Sequence, residues 1–432
     1  MSGEKKDLSD RRPYKKATHL IHGKFHSKKW EYRHHVIPPL TASTAFRLDT
    51  SQRGAKGFFE FACDQTPQKR HLPIYIYDRL DEPTRGMLEE NLAFAEGAEM
   101  AVAFASGMAA VAAACLVNLK AGDEILANDI LYGCTYSLFT NWFPRLGIKV
   151  RFVDLTSEGY ESAINDKTRV IYFESPLNPN LRLVDIRALH KVADRANQKR
   201  EKDHKIVLII DNTFATPFCQ RPLSLGVDLV AHSLTKDIGG FGTDMGGAVV
   251  GSEEHENALL LFRKDFGGVL SPKNAWPILV YGLSTLELRM KQQQEVAMKV
   301  ASFLKDHSKV RSVFYPGLSD FPQADLARSQ MTDFHGNFAP GSMIYFVLKG
   351  KDDHAAERFI DKIARDAYSV TLAVSLGQIR TLVENPFSMT HSGLPEEEKR
   401  RRGVDSNGIR LSVGLEDPDD IIMDLERALE VV

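Results

Sequence analysis

KIVLIIDNTFATPFCQRPLSLGVDLVAHSLTKDIGGFGTDMGGAVVG, residues 205–251, is the stretch on which the fold turns. It opens with an apolar, branched run at 206–210, too short for a buried helix, which reads as a strand inside a sheet. Asp211 follows at once, at the carboxyl end of that strand, where open α/β sheets place their ligands. A second short strand, 227–231, delivers Ser233, Leu234, Thr235 and Lys236. Glycines then crowd in at 239, 240, 242, 246 and 247.

A lysine just after two hydroxyl side chains, a carboxylate one strand away and a glycine-rich exit suit pyridoxal 5′-phosphate (PLP). That cofactor needs a lysine for its Schiff base, an acid to keep its ring nitrogen protonated, and short donors for its phosphate. Plainer readings exist: Asp211 before Asn-Thr as a turn former, and Lys236 as a solvated surface lysine. Ser233-Leu-Thr-Lys236 also has the S-x-x-K spacing of penicillin-binding proteins. That alternative needs companion K-T-G and S-D-N motifs, which this sequence lacks.

Working outward, 432 residues suffice for two or three domains with substantial cores. A composition 43% hydrophobic and 26% charged is ordinary for a globular chain. Fifty-five basic against 57 acidic residues leave a net charge of −2, so no general attraction to nucleic acid or anionic membrane follows. The first residues lack the pattern of a signal peptide, and no apolar run reaches the roughly 18 residues of a membrane span. Cys63, Cys115, Cys134 and Cys219 form no C-x-x-C, and the 14 histidines form no H-E-x-x-H, so no metal site is expected. The expected setting is a reducing cytoplasm.

Residues 1–35 read as a flexible basic arm. Thr41-Ala-Ser-Thr-Ala-Phe46 reads as a short extended segment, and 47–73 as a long loop. A helix is expected after Pro83. The strand 100–105 runs into Ser106-Gly107-Met108 and an alanine-rich helix at 109–119. A strand, a Ser-Gly turn and a helix N-terminus form a natural phosphate cradle, although such a turn alone is often only a cap. Strands at 124–127, 149–153 and 170–174 then alternate with helices near 136–143 and 186–197, which argues for a mostly parallel sheet covered by helices. A long helix is expected at 275–305. Beyond it lies a smaller α/β region with strands at 343–348 and 409–413 and helices at 354–364 and 418–432. The run 395–402, PEEEKRRR, reads as solvated. The implied division is 1–74 as arm and interface loop, 75–275 as the large cofactor-binding domain, and 276–432 as the C-terminal domain.

In order along the chain, Ile37-Pro-Pro-Leu, Tyr77-Asp-Arg79, Glu82-Pro-Thr84, Ser106-Gly-Met108, Leu131-Tyr-Gly-Cys134-Thr, Asn178-Pro-Asn, Asp211-Asn-Thr, Ser233-Leu-Thr-Lys236, Lys264-Asp265, Val374-Ser-Leu-Gly, Met389-Thr-His-Ser and Arg410-Leu-Ser-Val-Gly-Leu-Glu are the landmarks. With them the sequence resembles the cystathionine γ-synthase-like, Cys/Met-metabolism or trans-sulfuration, family of PLP-dependent enzymes, from Thr18 to the C-terminus. Within it the pattern is most similar to the methionine γ-lyase branch. The resemblance implies an α/β architecture, the aspartate-aminotransferase-like type I PLP fold, with a large mostly parallel sheet domain and a smaller C-terminal α/β domain. It also implies a homotetramer built as a dimer of dimers.

The resemblance assigns roles by position. Lys236 would be the Schiff-base lysine and move protons. Asp211 would pair with the ring nitrogen, and Tyr132 would stack on the ring and act as acid or base toward the leaving group. Ser106, Gly107 and Met108, with Ser233 and Thr235, would hold the phosphate, and Asn178 would lie by the ring's 3-oxygen. Tyr77 and Arg79 would reach the phosphate in the neighbouring subunit. Arg410, helped by Ser375, would clamp the substrate carboxylate with a guanidinium fork. Cys134 matches a cysteine of the methionine γ-lyases, although a small buried cysteine is often inert. The implied reaction is γ-elimination from a sulfur amino acid, methionine first. O-acetylhomoserine sulfhydrylase, cystathionine γ-synthase, the cystathionine lyases and a non-catalytic PLP-fold regulator are the alternatives. Two departures stand out: Asp237 follows Lys236 where relatives more often carry an aromatic residue, and 47–73 is longer than usual.

Overall fold

The computed structural model describes residues 14–23, 35–62, 74–350, 352–390 and 396–432. Among them, seven strands form one sheet: β1 (Met100–Phe104), β2 (Glu124–Asn128), β3 (Lys149–Val153), β4 (Thr168–Glu174), β5 (Val207–Asp211), β6 (Leu229–Ser233) and β7 (Gly247–Gly251), in the order β1-β7-β6-β5-β4-β2-β3. Strands β6, β5, β4, β2 and β3 pair in parallel, and only β7 runs against its neighbours β6 and β1. Val170–Phe173 in β4 and Leu208–Ile210 in β5 are buried on both faces, which is why these strands read as unbroken apolar runs. The carboxyl ends of β1, β4, β5 and β6 consequently lie along one edge.

The helix Gly107–Leu116 covers one face of this sheet through Ala110, Val111, Ala113 and Ala114. The opposite face packs on the helices Pro83–Glu96 and Ile186–Asn197 through Leu88, Leu92, Ile186 and Leu189. A second, mainly antiparallel sheet joins β8 (Val310–Phe314), β9 (Met343–Leu348), β10 (Val370–Leu372), β11 (Thr381–Glu384) and β12 (Gly408–Ser412) in the order β10-β11-β12-β9-β8. Helices Ala355–Asp366 and Pro418–Leu429 pack on it. The helix Leu286–Asp306 links the two cores: Leu286 and Met290 belong to the first, and Val296, Val300 and Leu304 to the second.

Several sequence expectations change. Ser51–Ala62, expected as loop, is a helix. Its glycines lower helix propensity, yet a Cβ on Gly57 would sit 2.7 Å from Ile76, so glycine there permits the contact. The rest of that stretch, 63–73, lies outside the described residues. The 16–22 part of the basic arm is a docked helix. Lys16 Nζ donates to Ala95 O at 2.8 Å and Phe94 O at 3.2 Å, a cation on the carbonyl end of Pro83–Glu96. The expected single helix at 275–305 is broken. A helix Pro272–Pro277 passes through a π-helical turn at Ile278–Gly282, and the regular helix restarts at Leu286. Ser284 and Thr285 hydroxyls and the Arg289 guanidinium take the carbonyls of Val280, Tyr281 and Gly282 at this break. The PEEEKRRR run is not simply solvated, because Lys399 and Arg402 are buried and Arg402 donates to Asp129 O.

One buried ion pair fixes β1 to its surroundings. Arg263 Nη1 meets Glu89 Oε1 at 2.5 Å, while Arg263 also donates to Ala103 O and Leu80 O, and Glu89 accepts from Ala103 N. Replacing one partner strands the other charge in the core. Arg263→Met is expected to lower stability by about 3–5 kcal/mol, read as a drop in the urea midpoint.

Candidate functional site

The site grows from the carboxyl edge of the large sheet. After β1, Ser106 caps the helix Gly107–Leu116, its Oγ accepting from Ala109 N at 3.2 Å. The first-turn amides of Gly107 and Met108 have no acceptor within the helix and face outward with the positive end of its dipole. Gly107 lies against β6: a Cβ there would stand 2.8 Å from Ser233 Cβ. Gly247, at the start of β7, is closer still, since a Cβ would collide with the Ser106 carbonyl and Gly107 N. Glycine at both places lets the helix tip, Ser233 and β7 converge into one cradle. Thr235 faces elsewhere, its hydroxyl exchanging hydrogen bonds with Gly246 O (3.3 Å) and Gly246 N (3.2 Å).

Asp211 and Glu174 end neighbouring parallel strands and stand side by side in register. Two carboxylates so placed raise each other's proton affinity, and burial adds to it. Burial first, then Asp211, pushes Glu174 up to about 8, although Glu174 Oε1 accepts from Tyr132 N at 2.6 Å. Asp211 is likewise raised, mainly by burial, against a hydrogen bond from Thr213 N at 3.0 Å. A cation beside Asp211 would favour its ionised form.

Lys236 Nζ donates to Ser375 Oγ at 2.9 Å, and burial, then the nearby Arg410, lowers its proton affinity. Arg410, buried on β12, donates to Asn178 Oδ1 (3.0 Å) and Ser375 O (3.0 Å), and pairs with Glu384 Oε1 at 3.0 Å. Glu384 lies opposite Arg410 in the β11–β12 ladder and also accepts from Thr390 Oγ1. Tyr132 is exposed at the rim, and burial of its phenol and the Cys134 thiol raise the hydroxyl's pKa. Met108 Sδ accepts from Thr135 Oγ1 at 3.7 Å, tying the cradle helix to the turn after Tyr132.

Lys236, Asp211, Tyr132, Cys134, Ser106, Gly107, Met108, Ser233, Asn178, Ser375 and Arg410 thus gather at one edge. Tyr77 and Arg79 stand apart from them. Both are exposed, the Arg79 guanidinium lies 5.7 Å from the Tyr77 ring, and Arg79 Nη1 donates to Lys264 O at 2.6 Å. Sequence reasoning missed Glu174 and Glu384. Glu174 carries the same signal as Asp211, a carboxylate at the carboxyl end of an apolar strand. Glu384 carries none, because its strand, Thr381–Glu384, is too short to show a period.

The donor set fits PLP: helix-tip amides and the Ser233 hydroxyl for a phosphate, Asp211 for a pyridinium nitrogen, a lysine of lowered proton affinity for an aldehyde, and Tyr132 at the rim. The class is therefore a PLP-binding α/β protein. The family model described as Cys/Met metabolism PLP-dependent enzyme matches residues 17–430. An L-methionine γ-lyase of Fusobacterium nucleatum subsp. polymorphum is 39% identical over 91% of this chain and 93% of its own length. A cystathionine γ-lyase of Bacillus subtilis (strain 168) is 39% identical over 82% of this chain and 89% of its own. The solved cystathionine γ-lyase from Lactobacillus plantarum, complexed with L-serine, superposes with a TM-score of 0.82 at 33% identity, covering 97% of this chain and 99% of that one. The chain belongs to the Cys/Met-metabolism family of PLP-dependent enzymes. Its fold is the aspartate-aminotransferase-like type I PLP fold, and family and relatives make it a PLP-dependent carbon–sulfur lyase.

Gly107→Ala tests the cradle, since its Cβ forces the helix tip away from Ser233. Overpacking of this kind costs about 1–3 kcal/mol. PLP affinity of the apoprotein, followed by fluorescence titration, is expected to fall roughly 5- to 100-fold with the helix content unchanged.

Proposed function

We propose that the protein is a methionine γ-lyase, splitting L-methionine and water into methanethiol, 2-oxobutanoate and ammonia. Bound PLP supplies an electron sink that makes the hydrogens on the substrate's α- and β-carbons acidic. Arg410, steadied by Asn178, Glu384 and the Ser375 carbonyl, presents its remaining N–H groups to the substrate carboxylate. Lys236, its proton affinity lowered by burial and Arg410, is suited to take the α-proton and return it elsewhere on the substrate carbon chain. Tyr132, held in its phenol form by burial and Cys134, can give a proton to the departing thiolate sulfur as the Cγ–S bond breaks. Asp211, once beside a cation, keeps its negative charge, while Glu174 next to it holds a proton and so does not oppose it.

The observation that carries the choice of substrate is Val374, 62% exposed beside Ser375. It offers a distal ammonium, such as that of cystathionine, no charge to pair with, whereas a thioether loses nothing there. The similarity to L-methionine γ-lyases supports the same choice. The exposed positions of Tyr77 and Arg79 suit a site shared between subunits, and a cytoplasmic homotetramer, a dimer of dimers, belongs to the same proposal. No described helix is long and apolar enough to cross a membrane.

A substrate panel of methionine, homocysteine, cystathionine, cysteine and O-acetylhomoserine with sulfide, assayed for 2-oxo acid and thiol, checks the assignment. Methionine or homocysteine is expected to exceed cystathionine in kcat/KM by roughly two- to fivefold, since the ion pair that an acidic residue at the solvent-exposed position 374 would give the distal ammonium, worth about 0.2–1 kcal/mol, is missing. A best rate with cystathionine, or product only from O-acetylhomoserine, removes methionine as the substrate. The shared site has its own check. Inactive Arg79→Ala and Lys236→Ala proteins, mixed under demonstrated subunit exchange, are expected to recover part of the activity, and no recovery contradicts a site completed across subunits.

A further inference from the structure

We propose that Arg289 and Gln293 are positioning residues: Arg289 grips the loop that carries Lys236, Gln293 grips the loop that carries Ser375, and one turn of a single helix sets the spacing between them. The proposal rests on the reading of the Lys236–Arg410 site and holds whichever sulfur amino acid is the substrate.

Both side chains are buried, and they stand four residues apart on the helix Leu286–Asp306. Residues so spaced share one face, about 6 Å apart along the axis. Leu286 and Met290 root the start of this helix in the core of the large sheet, and Val296 and Val300 root its continuation in the core of the second. Arg289 and Gln293 therefore occupy the segment that passes from one core to the other.

Arg289 holds the exit of β6. Its Nη1 donates to Asp237 O at 2.7 Å and its Nη2 to Ile238 O at 3.3 Å, and these are the two residues that follow Lys236. Nη2 also donates to Gly282 O at 2.7 Å, in the π-helical turn, and Nε to Thr285 Oγ1 at 3.0 Å. Gly240, at φ +76°, admits the guanidinium, because a Cβ there would collide with it. The amides of Gly239 and Gly240 turn back to Leu234 O (2.9 Å) and Lys236 O (2.8 Å). The backbone after Lys236 is thus held by its own amides on one side and by a guanidinium on the other. A planar fork of donors can serve several carbonyls in one fixed geometry, which an ammonium cannot.

Gln293 holds the other half of the site. Its Nε2 donates to Gln378 O and to Val413 O, both at 3.0 Å. Gln378 lies three residues after Ser375, and Val413 three after Arg410. Only the nitrogen end of the amide can serve two carbonyls, so its orientation is fixed. Gly377 N donates to Ser412 Oγ at 2.8 Å and completes the tie between the loop and the end of β12. That loop presents Ser375 Oγ to Lys236 Nζ and Ser375 O to Arg410 Nη2. The two gripped segments also meet directly, Ile379 N donating to Gly240 O at 2.9 Å. Lys236 and Arg410 come from different sheets, and both are referred to one stiff helix. A misplacement of about 1 Å between groups that act on one substrate is costly, so this common reference matters to binding.

Hydrogen–deuterium exchange of the holoenzyme tests the division between the two grips. Gln293→Met is expected to speed exchange in 374–379 more than in 236–241, and Arg289→Met to do the reverse. Binding gives a second readout. L-Alanine carries a carboxylate for Arg410 but no γ-substituent, and its binding is followed through the absorbance of bound PLP. Gln293→Met is expected to weaken alanine binding roughly tenfold, with the absorbance maximum of the unliganded holoenzyme unchanged. Arg289→Met is expected to shift that maximum and lower PLP affinity, and Arg289→Lys to recover part of both. Val300→Ala, which opens the C-terminal core on the same helix, controls for lost stability and is expected to lower Tm while leaving both loops and alanine binding at wild-type values. Equal effects of Gln293→Met and Arg289→Met on the two loops overturn the proposal, as does alanine binding no weaker in Gln293→Met than in Val300→Ala. Should Arg289→Met fail to fold, Arg289→Lys and Gln293→Met decide. None of these measurements uses methionine, so a failed substrate assignment leaves them standing.

Discussion

The hydrogen bond from Lys236 Nζ to Ser375 Oγ joins the exit of β6 to the loop before β11, and with it the two sheets. Lys236 arrives by way of the parallel ladder, whose carboxyl edge also delivers Asp211 and Glu174. Ser375 arrives with Arg410, whose guanidinium holds the Ser375 carbonyl. The Lys236 amine, the Arg410 guanidinium and the Asp211 carboxylate thereby meet only where the two sheets meet. Because Lys236 is crowded by Arg410 and partly buried, its proton affinity falls, which is what a base at neutral pH requires.

Around this contact the charges are arranged in buried pairs rather than left to solvent. Arg410 is balanced by Glu384 across one strand pair, and Asp211 is set against Glu174 across another. The second pair has like charge, and burial raises the proton affinity of both carboxyls, with Asp211 adding to the rise at Glu174. Each arrangement sets a protonation state through geometry that a surface residue could not impose.

Much of this was legible in the sequence, for physical reasons. Fully buried parallel strands are unbroken apolar runs, so β4, β5 and the Asp211 that ends β5 could be placed from the sequence. Ser106-Gly-Met between a strand and an alanine-rich helix announced the cradle. What stayed hidden was set by distant contacts. The reversed strand β7 is glycine-rich and lacks a period, yet its glycine at 247 admits the helix tip. Ser51–Ala62 is helical despite two glycines, and the break after Pro277 depends on side-chain hydroxyls and Arg289 capturing carbonyls. Thr235 sits in the motif as expected, but its hydroxyl is occupied by Gly246. Local pattern places a residue, and tertiary contact decides which atom is free.

The central claim is that Lys236 is the lysine to which PLP is covalently attached. Reduction of the holoenzyme with borohydride, proteolysis and mass spectrometry of the peptides test it directly. The account predicts a phosphopyridoxyl group on the peptide containing Ser233-Leu-Thr-Lys236, at near one per chain. The same group on a different lysine, or its absence from a protein that turns over substrate, would contradict it.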